Sequence, residues 1–179
     1  MSFCIACGAA GQHLIPPGDN LPRLVCPRCG HIHYENPRMV VGCVAEWEGR
    51  ILLCRRAIAP RLGYWTLPAG FMENGESAAA AARRETQEEA GALVRIDAPF
   101  AMVSIAHINQ IHFFYRGQLT TPDYAAGEES LEVALFHPDT IPWDDLSFRS
   151  VRYCLEAYLR DKPQGRFGFH EHELPPLTG

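Results

Sequence analysis

The 179-residue sequence predicts an α/β fold preceded by a small cysteine-rich module. Three observations carry that expectation. Cys, Gly, Pro and His crowd residues 1–35, which hold no long periodic segment. From Met39 onward, short runs of β-branched and aromatic residues recur between turn signals. One longer segment, Ser77 to Ala90, instead has the composition and end signals of a helix.

Asn36-Pro37 marks the first boundary, because a residue before proline avoids the helical region. Met39–Glu46 and Arg50–Cys54 read as strands joined through Glu48-Gly49, a pair suited to a tight hairpin turn. Ala57–Gly63 is a loop, and Tyr64–Leu67 is a short strand ended by Pro68. Ser77 is placed to cap the next helix, an alanine run favours it, and Gly91 can end it in a left-handed turn. Leu93–Ile96, Phe100–Ile108 and Ile111–Leu119 read as strands. Thr120–Ser130 is a polar, acidic loop and Leu131–Phe136 a further strand. Val151–Leu159 has helical spacing of apolar residues. The expected division is a module at 1–35, a main domain at 36–162 and a loosely packed Pro/Gly-rich tail at 163–179.

A net charge of −5 disfavours a nucleic-acid partner. No apolar run is long enough to cross a membrane, so no membrane partner is expected. The first residues lack a basic region followed by an apolar core, and seven cysteines without an export signal suggest a reducing, cytoplasmic location.

Cys4-Ile5-Ala6-Cys7-Gly8 and Cys26-Pro27-Arg28-Cys29-Gly30 are matching C-x2-C-G hooks. Each can present two thiolates to one ion, and together they complete a tetrahedral Cys4 site suited to structural Zn²⁺. Four sulfur ligands leave no open position for water, so His31 and His33 are not needed as ligands. Cys43, Cys54 and Cys154 lie in apolar patterns and read as core residues.

The most specific pattern runs from Gly70 to Gly91: G-x5-E-x7-RE-x2-EE-x-G, carried by Gly70, Glu76, Arg84, Glu85, Glu88, Glu89 and Gly91. At about 100° per residue, Glu85, Glu88 and Glu89 fall within one third of a helix circumference. Three carboxylates so placed repel one another unless a cation lies between them. Arg84, one residue before Glu85 and four before Glu88, is set to hold a carboxylate by hydrogen bonding.

This segment resembles the Nudix box, the loop–helix–loop signature of hydrolases acting on nucleoside diphosphates linked to another group. All seven fixed positions match, while Thr86 and Ala92 stand where the family prefers aliphatic residues. Trp65-Thr66-Leu67-Pro68-Ala69-Gly70 is similar to the family's lead-in, with Ala69 where Gly is commoner. The resemblance implies an α/β fold of the Nudix type: an α-β-α sandwich around a mixed sheet, preceded here by a small zinc ribbon. It implies Mg²⁺ or Mn²⁺ held by Glu85, Glu88, Glu89 and the Gly70 carbonyl, with Glu76 fixing the loop. A general base is also required, either from the box or from a later loop, where Glu128 and Glu129 are candidates. Many relatives are homodimers, which makes a homodimer an expected state.

A Cys4 ribbon ahead of a Nudix domain also occurs in NADH pyrophosphatases. Those carry a downstream S-Q-P-W-P-F-P-x-S array that this sequence lacks, its nearest stretch being Ile141–Phe148. The chain is more similar to the ribbon-bearing group that includes plant plastid FAD pyrophosphatases, which also accept ADP-ribose. That likeness runs through Asn36–Cys43, Leu52–Arg56, Trp65–Gly70 and Glu129–Glu132. ADP-ribose hydrolases of the family often have a proline after the box, where this chain has Ala106-His107. The implied substrate is FAD or ADP-ribose, giving AMP and a phosphorylated remainder, with NADH or a nucleotide sugar as the alternative. Trp65, Phe71, Tyr64 and Phe114 are candidates to stack on a base, and Arg55 and Arg56 to bind phosphate. His107 and His112 are expected on a strand face. Two readings of other classes compete: a ribbon built to bind nucleic acid or protein, disfavoured by the acidic charge, and a nucleotide sensor without turnover, disfavoured by the intact carboxylate set.

Overall fold

Short strands persist only when paired, and in the N-terminal unit each has a partner. β1 (Gln12–Leu14), β2 (Arg23–Val25) and β3 (Ile32–His33) form an antiparallel sheet in that order. The structure is a computed structural model describing residues 2–176, so Met1 and residues 177–179 of the expected tail lie outside it. It falls into two units, Met1–Pro37 and Arg38–Gly179. The first contains those strands, where the sequence suggested loops alone. Among its described residues, Cys4, Pro16 and Cys26 are buried, too few to form an apolar core.

The second unit is built on an eight-stranded mixed sheet. Its elements are β4 (Arg38–Trp47), β5 (Arg50–Arg56), β6 (Trp65–Thr66), β7 (Ala69–Phe71), α1 (Ala78–Ala90), β8 (Val94–Ile105), β9 (Gln110–Leu119), β10 (Ser130–Phe136), α2 (Arg149–Asp161) and β11 (His170–Glu173). The strands run β10-β5-β4-β9-β8-β11, with β6 added to β5 and β7 to β4. The β4–β9 and β8–β11 pairs are parallel and the others antiparallel. Glu48 and Gly49 both take positive φ (46° and 84°), which gives the two-residue turn between β4 and β5 the twist a hairpin needs.

Side chains alternate across a strand, and this alternation builds two cores. Val41, Cys43 and Ala45 of β4 with Leu52 and Cys54 of β5 pack under α1. Val44, Ile51 and Leu53 face the other way, with Phe100 and Phe114, against Val151, Cys154, Leu155 and Tyr158 of α2. The α-β-α sandwich therefore follows from period-two burial, and the three core cysteines sit where the apolar pattern put them.

Two expectations change. Residues 93–96 and 100–108 do not form separate strands, because β8 runs unbroken through Asp97-Ala98-Pro99. The pairing with β9 shifts register on either side of that stretch, so the proline marks a bulge instead of an end. The C-terminal tail is not loose. β11 adds to β8 in register His170↔Ala101 to Glu173↔Ser104. Asp161 anchors the approach, accepting from Gly168 N at 3.0 Å and pairing with His170 Nε2 at 2.7 Å. The open edge of β8 supplies backbone partners that composition does not show.

Candidate active site

Ser77 caps α1, its hydroxyl accepting from Ala80 N at 3.2 Å, and Gly91 ends the helix in the left-handed region at φ 59°. The cap fixes which residues face the sheet. Glu85 and Glu89 are 8% and 6% exposed, whereas the side chain of Glu88 stays 58% exposed. β7 meets this face through its backbone. Ala69 N donates to Glu89 Oε2 at 3.0 Å, and a Cβ on Gly70 would lie 2.4 Å from the Glu85 carboxylate. Only glycine at position 70 allows that approach.

Arg84 ties the group together. It donates to Glu76 Oε1 at 2.8 Å, to Glu85 Oε1 at 2.7 Å, to Glu88 Oε2 at 2.9 Å and to the Phe71 carbonyl at 3.1 Å. Glu76 in turn accepts from Glu73 N at 2.7 Å, which closes the loop ahead of α1. The sequence suggested that Arg84 holds one carboxylate, but it holds three. Its guanidinium relieves the repulsion for which a metal ion alone was invoked.

Burial sets the electrostatics. Loss of water pushes the Glu89 carboxyl up to about 8 against the pull of the Ala69 N–H. It also raises Glu85, with Arg84 opposing. The Arg84 hydrogen bond holds Glu76 below the usual carboxylate range. Two buried carboxylates, Glu89 with no ion pair among the described residues and Glu85 sharing Arg84, suit a hard divalent cation, so the residues fit Mg²⁺ or Mn²⁺.

The face opens into a cleft of about 1000 Å³. Gly70, Arg84, Glu85, Glu88 and Glu89 line it, as do Phe71, Arg56, Glu128 and Glu129. The loop carrying the last two is pinned to the end of α1 by Ala125 N to Ala90 O at 2.8 Å and Gly127 N to Glu89 O at 3.1 Å. Glu129 adds its charge to the field at both Glu85 and Glu89.

Trp65, Phe114, Tyr64 and Arg55 are not among the described residues that line the cleft. Trp65 packs edge-on against Phe136 at 4.8 Å, because β6 pairs with β5 and turns its indole toward the α2 core. Phe114 is 1% exposed, on the core side of β9. Tyr64 lies under the Arg61 guanidinium at 5.3 Å. Arg55 donates to the Gly63 carbonyl at 3.0 Å and faces Glu132 at 3.6 Å. His107 and His112 do reach the cleft, together with Gln110, Ser147, Arg149 and Ser150, which sequence reasoning missed. Nothing in the local sequence marks these four, since they meet only when β9 and the start of α2 come together.

In the N-terminal unit, Cys4 Sγ lies 3.7 Å from Cys29 Sγ and Cys7 Sγ 3.5 Å from Cys26 Sγ. Tetrahedral zinc with Zn–S of about 2.3 Å separates its sulfurs by about 3.8 Å, so the cluster fits the ion. Donation from the Cys29 backbone N–H leads in bringing the Cys26 thiol down to about 6, toward the thiolate a metal needs. Among the described residues, these cysteines are the one set of three or more His, Cys, Asp or Glu with ligand atoms all within 4.8 Å. The carboxylates of α1 stand further apart.

Comparison with known proteins agrees with this geometry. The NUDIX domain family matches residues 36–164, and the Nudix N-terminal zinc-ribbon family matches residues 2–35. The chain belongs to the Nudix family. A crystal structure of a NUDIX hydrolase from Nitrosomonas europaea superimposes with a TM-score of 0.94 at 48% identity, covering 97% of this chain and 99% of that one. An ADP-ribose pyrophosphatase from Methanocaldococcus jannaschii is 28% identical over 72% of this chain and 77% of its own length. The NAD-capped RNA hydrolase NudC of Stutzerimonas stutzeri is 30% identical over 97% of this chain, which spans 60% of that protein. The Nudix domain is thus a hydrolase domain with a ribbon ahead of it. No described helix is long and apolar enough to cross a membrane.

Proposed function

We propose that this Nudix enzyme hydrolyses the diphosphate linkage of a nucleoside diphosphate joined to a second group, with ADP-ribose or FAD preferred and AMP as one product. The observation that carries the reading is the carboxylate face of α1, latched by Arg84 and open to a cleft of about 1000 Å³, a volume that suits a dinucleotide. The ADP-ribose pyrophosphatase relative supports ADP-ribose. FAD rests on the likeness in the sequence to plant plastid FAD pyrophosphatases.

Glu85, Glu88, Glu89 and the Gly70 carbonyl would hold Mg²⁺ or Mn²⁺. When bound, that ion neutralises phosphate charge and activates water. Glu129 is the better placed of the two candidate bases, since its charge reaches Glu85 and Glu89 and its carbonyl is tied to Ala57 N at 2.8 Å. Phe71, half-exposed at the mouth with Arg38 5.4 Å above its ring, remains the stacking candidate in the cleft.

NAD-type dinucleotides are the second reading, favoured by the match to the NudC relative over 97% of this chain. The test is a panel of ADP-ribose, FAD, NADH and nucleotide sugars with Mg²⁺, the products being separated by chromatography. AMP release is expected fastest from ADP-ribose or FAD. Absence of cleavage across the panel would reject the enzyme reading.

A further inference from the structure

α2 begins at the wall of the cleft with its first turn uncapped. Phe148 holds the N-cap position in an extended conformation (φ −131°, ψ 144°), and no side chain bonds the N–H groups that follow. A helix of thirteen residues gathers roughly half a positive charge at such an end. Ser147, one residue earlier, lines the same cleft. It is 4% exposed, and its hydroxyl has no hydrogen-bond partner in the protein. Its backbone is held by donation to Trp65 O at 2.8 Å, which fixes where the side chain leaves the chain. A buried hydroxyl left alone is destabilising, and a ligand oxygen would relieve that.

Positive charge converges there. The Arg56 guanidinium lies over the Phe148 ring at 5.1 Å and donates from Nε to the Pro60 carbonyl at 2.9 Å. Arg149, the first residue of α2, donates from one terminal nitrogen to the Pro175 carbonyl at 2.7 Å. Each keeps further N–H groups, and both residues line the cleft. Arg56 and Glu89 line the same cleft. The cationic wall therefore adjoins the carboxylate face. His112 supports the first turn from below, with Nδ1 2.8 Å from Ser150 Oγ and Nε2 3.1 Å from Gln110 Oε1.

We propose that the start of α2, with Ser147, Arg56 and Arg149, is a second phosphate-binding site that holds the phosphate departing with the leaving group. The role rests on the diphosphate hydrolysis proposed above. In that reaction the oxygen of water bonds to one phosphorus and its proton passes to a carboxylate. The bond from that phosphorus to the bridging oxygen breaks, and its electron pair stays with the bridging oxygen on the second phosphate. That second phosphate gains negative charge as the bond breaks. Donors fixed in advance at that point favour the transition state over the ground state.

Inorganic phosphate is the probe. It is titrated by calorimetry into the full-length, zinc-replete protein without added Mg²⁺ or Mn²⁺, where the bare carboxylates repel it. Saturable one-site binding is expected, weakened about tenfold by Ser147→Ala and by Arg149→Gln. Arg149 is exposed, so its substitution serves if Ser147→Ala fails to fold. In turnover, both variants should lower kcat about tenfold at an unchanged Mg²⁺ requirement. Absence of saturable binding, or equal affinity in all three proteins, overturns the site even if the enzyme cleaves diphosphates. Variant-sensitive binding in a protein that cleaves none would keep the site and reject the proposed reaction.

Discussion

The protein has two clusters built to hold cations, and they solve the problem differently. The sulfurs of Cys4, Cys7, Cys26 and Cys29 lie within 4.8 Å of one another in a unit whose buried residues are two of those cysteines and one proline. There the ligands are the core. Glu85, Glu88 and Glu89 hang from a helix that an apolar core already holds, and Arg84 bridges the first two. The first cluster is closed and suits an ion that stays; the second is open on a cleft and suits one that must share its coordination with a substrate. On the proposed reading, folding depends on the one and turnover on the other.

The sharpest way to break this contrast is Cys26→Ser. Zinc content should fall from one per chain to near zero, and the backbone amides of β1–β3 should lose protection from exchange. Structural zinc contributes on the order of 10 kcal/mol in comparable small domains. Retained protection after verified zinc loss would show that thiols alone hold the ribbon. Next in size is Glu89→Gln, which should cut turnover at least about a hundredfold while the melting curve persists. An unchanged rate would place the metal face elsewhere. Arg84→Gln should raise the Mg²⁺ concentration for half-maximal activity about tenfold, since it frees Glu85 and Glu88 without removing a ligand. A fall in kcat at saturating Mg²⁺ with no change in that requirement would contradict the latch.

The smallest effect is in stability. Burial raises Glu89 from its ordinary 4.5 to about 8. The folded state therefore keeps a proton that the unfolded state has lost across that window, and stability must fall as pH rises through it. Without divalent ions, wild type should lose about 1 kcal/mol more than Glu89→Gln between roughly pH 6 and pH 7. Mg²⁺ should flatten the difference. A wild type that gains stability relative to the variant over the same range would reverse the assignment.

Features encoded by neighbours in the chain were legible in advance. Ser77 and Gly91 bound α1 as their capping chemistry requires, and alternation in β4 and β5 assigned the two cores. The fixed spacing of the Nudix pattern placed Glu85 and Glu89 together against β7. Features made by distant segments were not legible. Trp65 and Phe114 looked like base contacts because they are aromatic and lie near the box or in a strand, but strand pairing turned both into the core. Arg149 and Ser147 carried no signal, since their position depends on where α2 starts over the sheet. Residues 93–96 and 100–108 read as two strands, yet β8 runs through Pro99 with shifts of register on either side.

The parallel pairing of β11 with β8 has a practical consequence. Composition would invite an investigator to trim the polypeptide just past α2, treating what remains as dispensable. Such a cut would strip the margin of the sheet and leave the Ala101–Ser104 stretch of β8 with unsatisfied backbone groups, open to docking against another molecule. Shortened versions should therefore clump where the longer ones stay dispersed.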